Sequence, residues 1–153
     1  MTKKIVHYIG SDFSDPFFLE QLVEFDAAFF PRPWAREAWE GCLSSEHLIS
    51  LLLDETNKII GYSLYFTSVA DSFAHLYKIQ VNPAFRGQKL GQELFLTTLK
   101  ELEQRGFKEF FLEVEAENTV AQNLYLKNGF QIIHRKKKFY SDGQDALILT
   151  KSS

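Results

Sequence analysis

One glutamate in the sequence lies where a carboxylate could take up a proton. Glu113 follows the apolar residues Phe110, Phe111 and Leu112, a run typical of a buried strand. A carboxylate that is partly withdrawn from water at the end of such a strand becomes a better proton acceptor near neutral pH. From the residues alone, a strand-end glutamate is more often solvated or paired with Lys or Arg, so the pattern only nominates Glu113 as a base.

Tyr125 is a candidate for the opposite role, that of a proton donor. It follows Ala121 by four residues in a segment with helical spacing, so both side chains face the same way. A tyrosine hydroxyl has an ordinary pKa of about 10 and therefore stays protonated at pH 7. A tyrosine that packs in the core would show the same spacing, and both interpretations remain open.

A turn that could bind phosphate precedes a long predicted helix. It runs Val81-Asn82-Pro83-Ala84-Phe85-Arg86-Gly87-Gln88-Lys89-Leu90-Gly91. The first amides of a helix have no internal partners, and the helix dipole favours an anion beside them. Arg86 would add donors that match phosphate oxygens. The turn is neither a Walker loop nor a dinucleotide fingerprint, and a plain connection between a strand and a helix could have the same composition.

The elements that must position these residues follow from hydrophobic periodicity, which predicts the order β-α-α-β-β-β-α-β-α-β-β. The strand-helix-strand units imply parallel pairing and the hairpins imply antiparallel pairing, so we expect a mixed sheet with helices on both faces. The predicted strands are residues 5–9, 48–53, 59–66, 73–81, 108–114, 130–140 and 146–150, and the predicted helices are 16–30, 34–43, 90–104 and 119–127.

The strand at residues 73–81 alternates strictly between two sets of side chains. The alternation predicts that one face carries Phe73, His75, Tyr77, Ile79 and Val81. His75 would then share a face with Ile79. It could be a second base, although a packed or capped histidine is the more common case.

Composition narrows the class of protein. The chain has 153 residues and a formal net charge of −3, which suits one domain spanning 1–153 and argues against nucleic acid as a partner. The single cysteine, Cys42, lies in a predicted helix and reads as a small buried residue, and the four histidines lack metal-ligand spacing. This spacing leads us to expect no metal. The sequence has no segment that resembles a signal peptide and no apolar run of about 20 residues, so we expect a cytoplasmic protein with no membrane partner. No pattern indicates the oligomeric state.

The turn at Arg86-Gly87-Gln88-Lys89-Leu90-Gly91 resembles the acetyl-CoA loop of the GNAT superfamily, written Q/R-x-x-G-x-G/A. Lys89 stands where the pattern has its first glycine. If that position requires a positive φ, lysine is strained there. Alternatively the loop relaxes, and the ammonium of Lys89 adds a contact to phosphate.

The following residues are similar to one GNAT subgroup, the RimI-type N-terminal acetyltransferases, which acetylate the α-amine of a ribosomal protein. The similarity lies in Leu112-Glu113-Val114-Glu115-Ala116-Glu117-Asn118, Ala121, Asn123-Leu124-Tyr125 and Asn128-Gly129-Phe130. Residues 139–146 echo the subgroup's Tyr-Tyr-x-x-x-Gly-x-x-Asp-Ala, one residue shorter and with Phe139 for the first tyrosine. Phe30-Pro31-Arg32-Pro33-Trp34 resembles its Phe-Pro-Trp, with two extra residues.

The resemblance implies a single-domain α/β GNAT-like fold, with a mixed, mostly antiparallel sheet of about seven strands flanked by about four helices. It also implies acetyl-CoA as co-substrate, Glu113 as a base that acts through water, and Tyr125 as the acid. Trp34 and Tyr140 would border the acceptor amine, whereas Glu115 and Glu117 read as exposed. The coenzyme would contact Ile79, Gln80, Val81, Arg86, Gly87, Gln88, Lys89, Leu90, Gly91, Gln92 and Asn118.

The acceptor is predicted from the cost of removing a proton from an amine. At pH 7 this costs about 1.4 kcal/mol for an α-amine and about 4.6 kcal/mol for a lysine side chain. A carboxylate is a base strong enough to deprotonate an α-amine more readily than a lysine side chain, which favours the N-terminus of a protein or peptide as the acceptor. Two alternatives remain. One is a small-molecule amine acetyltransferase on the same fold. The other is a non-catalytic acyl-CoA-binding module, which stays possible because Lys89 replaces the first glycine of the acetyl-CoA loop. The basic run 134–138 could attract an acidic substrate, but it is more typical of a solvated edge strand.

Overall fold

The structure is a computed structural model that describes residues 3–13 and 15–153. Within these residues, seven strands form one sheet in the order β1-β2-β3-β4-β5-β7-β6. The strands are β1 Lys4–Ile9, β2 His47–Leu53, β3 Ile59–Ser68, β4 Phe73–Val81, β5 Glu109–Glu115, β6 Gln131–Lys136 and β7 Ala146–Ser152, and the helices are α1 Pro16–Phe29, α2 Arg36–Glu40, α3 Leu90–Gln104 and α4 Thr119–Lys127. Strands β4 and β5 pair parallel and the other neighbours pair antiparallel, which confirms the predicted mixed sheet.

Helices cover both faces of the sheet, as predicted. On one face α1 and α2 bury Leu22, Phe25 and Trp39 against β2 and β3. On the other face α3 and α4 form a second core, in which Phe95 and Tyr125 pack together. The leucines that recur along α3, Leu90, Leu94, Leu99 and Leu102, are all buried.

Residues with helix-ending and helix-capping chemistry lie at the ends of α3 and α4. Gly106, just after α3, has a φ of 97°, a conformation that glycine adopts without the steric cost of a side chain. The Asn118 side chain accepts a hydrogen bond from the Ala121 amide at 3.1 Å and caps α4. Gly129, one residue beyond the C-cap of α4, has a φ of 92°. These residues fix where α3 and α4 end and begin around the gap described below.

A β-bulge in β4 changes which side chains face which helices. Leu76 pairs with Tyr65 and Lys78 pairs with Leu64, so Tyr77 is the extra residue between them. The predicted alternation is therefore wrong beyond Tyr77. Leu76 packs on the α3 side, Lys78 turns to the α1 side, and Ile79 packs on the α3 side, opposite His75.

The same irregularity separates β4 from β5. Their parallel ladder runs from Phe73–Glu109 to Leu76–Leu112 and stops. Beyond it β4 continues to Val81 and β5 to Glu115 without pairing to each other. A bulge bends the strand that carries it, which accounts for a gap that begins at this point.

Two predicted elements are shorter than expected. Helix α2 begins at Arg36 rather than Trp34, because the Trp34 amide donates to the Asp26 side chain at 2.7 Å instead of entering the helix. Strand β6 ends at Lys136 rather than Tyr140, and Lys138 has a φ of 52° that no extended strand adopts. As expected for the basic run, β6 is an edge strand with every residue exposed. Cys42 is buried, although it lies after α2 and not within it.

Candidate active site

A large cavity opens where β4, the start of α3 and α4 approach one another. Its volume is about 640 Å³, within the range of pockets that hold coenzymes. Nine residues predicted to bind coenzyme or to act on it line this cavity: Ile79, Gln80, Val81, Gly87, Lys89, Gly91, Gln92, Asn118 and Tyr125. Val120, Ala121, Asn123, Leu124 and Lys127 of α4 complete the wall. We refer to it as the coenzyme cavity.

The turn before α3 contains two residues with positive φ. Gly87 has a φ of 82°, and a Cβ added there would meet no atom within 4 Å, so its backbone is open to a ligand. Lys89 is the N-cap of α3, with φ 57° and ψ 26°. The position does adopt positive φ, so lysine carries the strain that the glycine of the pattern would avoid.

Three other residues predicted to contact coenzyme do not line this cavity. Arg86 and Gln88 are exposed and are not among the residues that line it. Leu90 is buried with Leu52, Ile60 and Leu94 beneath the helix, so its side chain serves the core. Its amide still belongs to the first turn of α3, where helical amides lack internal partners.

A smaller cavity lies on the α1 side of the gap between β4 and β5. It measures about 150 Å³, and we call it the acceptor cavity. Glu113 and Tyr140, both predicted from sequence, line it. The other lining residues are Phe30, Arg32, Leu76, Tyr77, Lys78, Ile79, Val114, Glu115, Asn118, Ala121 and Tyr125.

The two cavities share Tyr125, together with Ile79, Asn118 and Ala121. Tyr125 is 6% exposed, and its ring packs 5.0 Å from that of Phe95. Burial raises the pKa of Tyr125 to about 12, with a smaller contribution from Tyr140. A group at this junction that stays protonated at neutral pH can donate a proton to an atom arriving from either side.

Glu113 has a partner that the sequence did not reveal. His75 Nε2 lies 2.6 Å from Glu113 Oε2, and both side chains are 19% exposed. The His75 ring stands edge-on between Tyr77 and Phe111, at 4.7 Å from each. The histidine is therefore packed, as expected, but it also holds the carboxylate nominated as a base.

Arg32, which lines the acceptor cavity, ties its own segment to β5 and to the loop between β6 and β7. Its Nη1 donates to Glu115 Oε1 and its Nη2 to Asp142 Oδ2, each at 2.7 Å. Its guanidinium lies 4.1 Å from the centre of the Tyr140 ring. The expectation that Glu115 is exposed is therefore wrong, since it is half-buried in an ion pair. The only feature of the sequence that could have pointed to Arg32 was its position between two prolines.

Trp34 does not line the acceptor cavity. Its ring packs 5.3 Å from Trp39 and 6.3 Å from Tyr77, and Phe30 of the same segment lines the cavity instead. Tyr140 lines it as expected, and burial raises the pKa of Tyr140 to about 12.

A buried ion pair lies directly behind this segment. Lys78 Nζ donates to Asp26 Oδ2 at 2.8 Å, and neither side chain is more than 1% exposed. Asp26 also accepts from the Tyr62 hydroxyl at 2.6 Å and from Trp39 Nε1 at 3.2 Å. Asp26 lies at helical spacing from Leu22 and Phe25, so a charge on the apolar face of α1 was the available signal.

The structure describes residues 3–13 and 15–153, and two features are absent among them. No helix among them is long and apolar enough to cross a membrane. No group of three or more His, Cys, Asp or Glu residues among them could hold a metal ion.

Comparison with known proteins identifies the family. The model of the acetyltransferase (GNAT) family matches residues 10–130. The chain belongs to this GNAT family. The [ribosomal protein bS18]-alanine N-acetyltransferase of Escherichia coli K12 is 31% identical over 120 residues, which cover 76% of this chain and 79% of that protein. This GNAT chain is an N-acetyltransferase, so the non-catalytic alternative is not retained.

Solved structures share the GNAT fold of this chain. The ribosomal-protein-S18-alanine N-acetyltransferase from Escherichia coli matches with a TM-score of 0.86 and 24% identity, over 99% of this chain and 94% of that one. A NatC complex bound to Gag peptide and CoA matches with a TM-score of 0.81 and 19% identity, over 98% and 99%. At these sequence identities the two matches show a shared fold alone.

Proposed function

We propose that this GNAT chain transfers the acetyl group of acetyl-CoA to the N-terminal α-amine of a protein. The observation that carries the proposal is the meeting of two cavities at Tyr125, in the gap where β4 and β5 stop pairing. A thioester that enters from one side and an amine that enters from the other would meet beside this hydroxyl. Holding two reactants together in this way removes a large part of the barrier to a bimolecular reaction.

The coenzyme cavity has the chemistry that acetyl-CoA needs. The first amides of α3 and the open backbone at Gly87 suit its pyrophosphate, and Lys89 adds a cation at the same place. Ile79 and Val81 lie at the end of β4 that pairs with β3 but not with β5. They would bind the pantetheine arm through their backbone groups, as an added strand does. Asn118 would contact the same arm in addition to capping α4.

The reaction needs one proton removed and one supplied. The amine nitrogen attacks the thioester carbonyl carbon, and its proton passes through a water molecule to the Glu113 carboxylate. The carbon–sulfur bond then breaks, and the departing thiolate takes the proton of the Tyr125 hydroxyl. Burial raises the pKa of Tyr125 to about 12, so the hydroxyl carries a proton at neutral pH that it can give to the stronger base formed in this step.

Three observations favour an α-amine as the acceptor. A carboxylate base is better matched to an α-amine than to a lysine side chain, because less free energy is needed to remove the proton. Glu113, Glu115 and Tyr140 offer a small polar cavity of about 150 Å³, which suits a single terminal residue. The Escherichia coli relative, 31% identical, is named for acetylation of an alanine of a ribosomal protein.

Substrate panels test the proposal. Peptides with free N-termini should be acetylated from acetyl-CoA, with free thiol released in equal amount, faster than polyamines, free amino acids or aminoglycosides. Efficient acetylation of the small amines without turnover of any peptide would replace the proposal with the small-molecule alternative.

A further inference from the structure

We propose that Arg32 selects acceptors that carry a carbonyl next to the amine, by donating a hydrogen bond from Nε–H to the first carbonyl oxygen of a peptide. The inference rests on the proposed function and names the residue by which the acceptor cavity would recognise a peptide. Arg32 lines the acceptor cavity together with Glu113. Any amine that Glu113 deprotonates would therefore lie close to this guanidinium.

Arg32 has one donor left over for a ligand. Its two Nη atoms are engaged by Glu115 and Asp142, as described above. Its Nε is buried and has no hydrogen-bond partner among the described residues. A buried N–H of a charged group that lacks an acceptor is costly, so an oxygen that a ligand places beside it would gain a strong hydrogen bond.

The segment that carries Arg32 is held in place before any ligand binds. Pro31 and Pro33 fix their own φ angles and restrict the residue before each of them. Both ends of the segment are tied to Asp26: the Phe30 amide donates to its backbone oxygen at 3.0 Å and the Trp34 amide to its side chain at 2.7 Å. A donor fixed in this way loses little entropy when it binds a carbonyl.

An α-amine in a peptide differs from a simple amine in this carbonyl. The carbonyl carbon is bonded directly to the carbon that bears the amine in every peptide, whatever the side chain. A polyamine has no such group and would leave the Nε–H without an acceptor. Sites that hydrogen-bond a substrate group reject analogues that lack it more strongly than apolar pockets do.

The test compares two acceptors in the intact chain. One is a tetrapeptide with an N-terminal alanine, and the other is the same molecule with its first peptide bond replaced by a trans-alkene. The measured quantity is the ratio of kcat/KM for the peptide to that for the alkene. The Arg32→Lys variant keeps the positive charge but lacks the guanidinium and therefore its Nε–H. We expect it to lower this ratio about tenfold or more, the contribution of a hydrogen bond from a charged donor.

Two further variants separate recognition from loop placement. Asp142→Asn weakens one anchor of the guanidinium but keeps the Nε–H, so the ratio should stay within about twofold of the wild-type value. Arg36→Lys, at an exposed ion pair with Glu20 away from both cavities, is the matched control and should also keep it. An unchanged ratio in Arg32→Lys, or an equal fall in Asp142→Asn, would overturn the assignment. If the wild-type protein acetylates neither molecule, the proposed function fails, and this inference fails with it.

Discussion

The 2.6 Å contact between His75 Nε2 and Glu113 Oε2 joins two parallel strands where their pairing ends. His75 still lies within the β4–β5 ladder, whereas Glu113 is one residue beyond its last pair, at the edge of the acceptor cavity. The histidine is fixed by flanking aromatic rings, so it can hold the carboxylate in one orientation. We infer that His75 is a positioning residue for Glu113.

Substitutions at this pair should therefore depend on each other. Glu113→Gln should lower kcat about 10²-fold or more, the usual contribution of a general base. His75→Leu should lower it about tenfold, and His75→Gln, which keeps a donor, should lose less. In a protein that already carries Glu113→Gln, His75→Leu should have little further effect, because residues that act as a unit are not additive. Fully additive losses in steady-state kinetics would show that the contact has no role in turnover.

Tyr125→Phe should lower kcat about 10²-fold while the affinity for acetyl-CoA stays within a few-fold of the wild-type value. The substitution removes the hydroxyl but keeps the ring that packs against Phe95 and Phe130. Rates by thiol release and affinity by calorimetry provide the two measurements. Tyr65→Phe, which removes the hydroxyl of a fully buried tyrosine beside Tyr125, is the matched control and should turn over normally. A Tyr125→Phe protein with the wild-type rate would exclude the hydroxyl as the acid.

The element order and most of the coenzyme cavity could be predicted from the sequence, because both depend on local signals. Periodicity predicted β4 at residues 73–81, and the glycine-bearing turn predicted the start of α3. The faces of β4 could not be predicted beyond Tyr77. A bulge is set by how β3 and β4 pair, and the alternation within one strand does not encode it.

The acceptor cavity was harder to predict, because its parts come from distant positions in the chain. Arg32 meets Glu115 and Asp142, which follow it by 83 and 110 residues. His75 and Glu113 are 38 residues apart. Each residue taken alone has an ordinary explanation, as a surface charge or a packed ring, and only the fold brings the partners together. For Lys78 the alternation suggested burial on the face of Ala74 and Leu76; the residue is buried, but the bulge turns it to the opposite face.

The buried pair of Asp26 and Lys78 should contribute to stability mainly through the penalty for breaking it. Lys78→Met fills a similar volume but leaves the Asp26 carboxylate buried without its cation, which should cost about 3 kcal/mol of unfolding free energy. Asp26→Asn should also destabilise the protein, because it leaves the Lys78 ammonium unpaired. The double variant should lose less than the sum of the two, because no uncompensated charge remains. Urea denaturation at pH 7 measures all four proteins, and simple additivity would contradict a coupled pair.

Lys78 also predicts how stability changes with pH. Burial lowers the pKa of Lys78 to about 8 from its ordinary 10.5, although the Asp26 carboxylate opposes the shift. Between these two values the unfolded chain binds more protons than the folded one, so this residue makes the unfolding free energy rise with pH, by about 3 kcal/mol in total. Burial raises the pKa of Tyr62 and Tyr65, which acts in the opposite direction at high pH. Both tyrosines are present in wild type and in Lys78→Met, so their contributions cancel in the difference between the two unfolding free energies. This difference should grow from pH 8 to 10.5. A constant difference would refute the lowered pKa.

Lys89 combines a strained backbone with a charge that faces the coenzyme cavity, and two substitutions separate these effects. Lys89→Gly should raise the unfolding free energy by about 0.5–1 kcal/mol, because glycine adopts the observed φ of 57° without a side-chain penalty and loses part of that gain to greater freedom when unfolded. Lys89→Ala keeps the strain, so its stability should stay within about 0.5 kcal/mol of wild type. Both variants lack the ammonium and should bind acetyl-CoA a few-fold more weakly at low salt, with the difference fading as salt screens the charge. Urea denaturation and calorimetry at two ionic strengths measure the two properties. A glycine variant less stable than the alanine variant would show that the turn does not hold this conformation in solution.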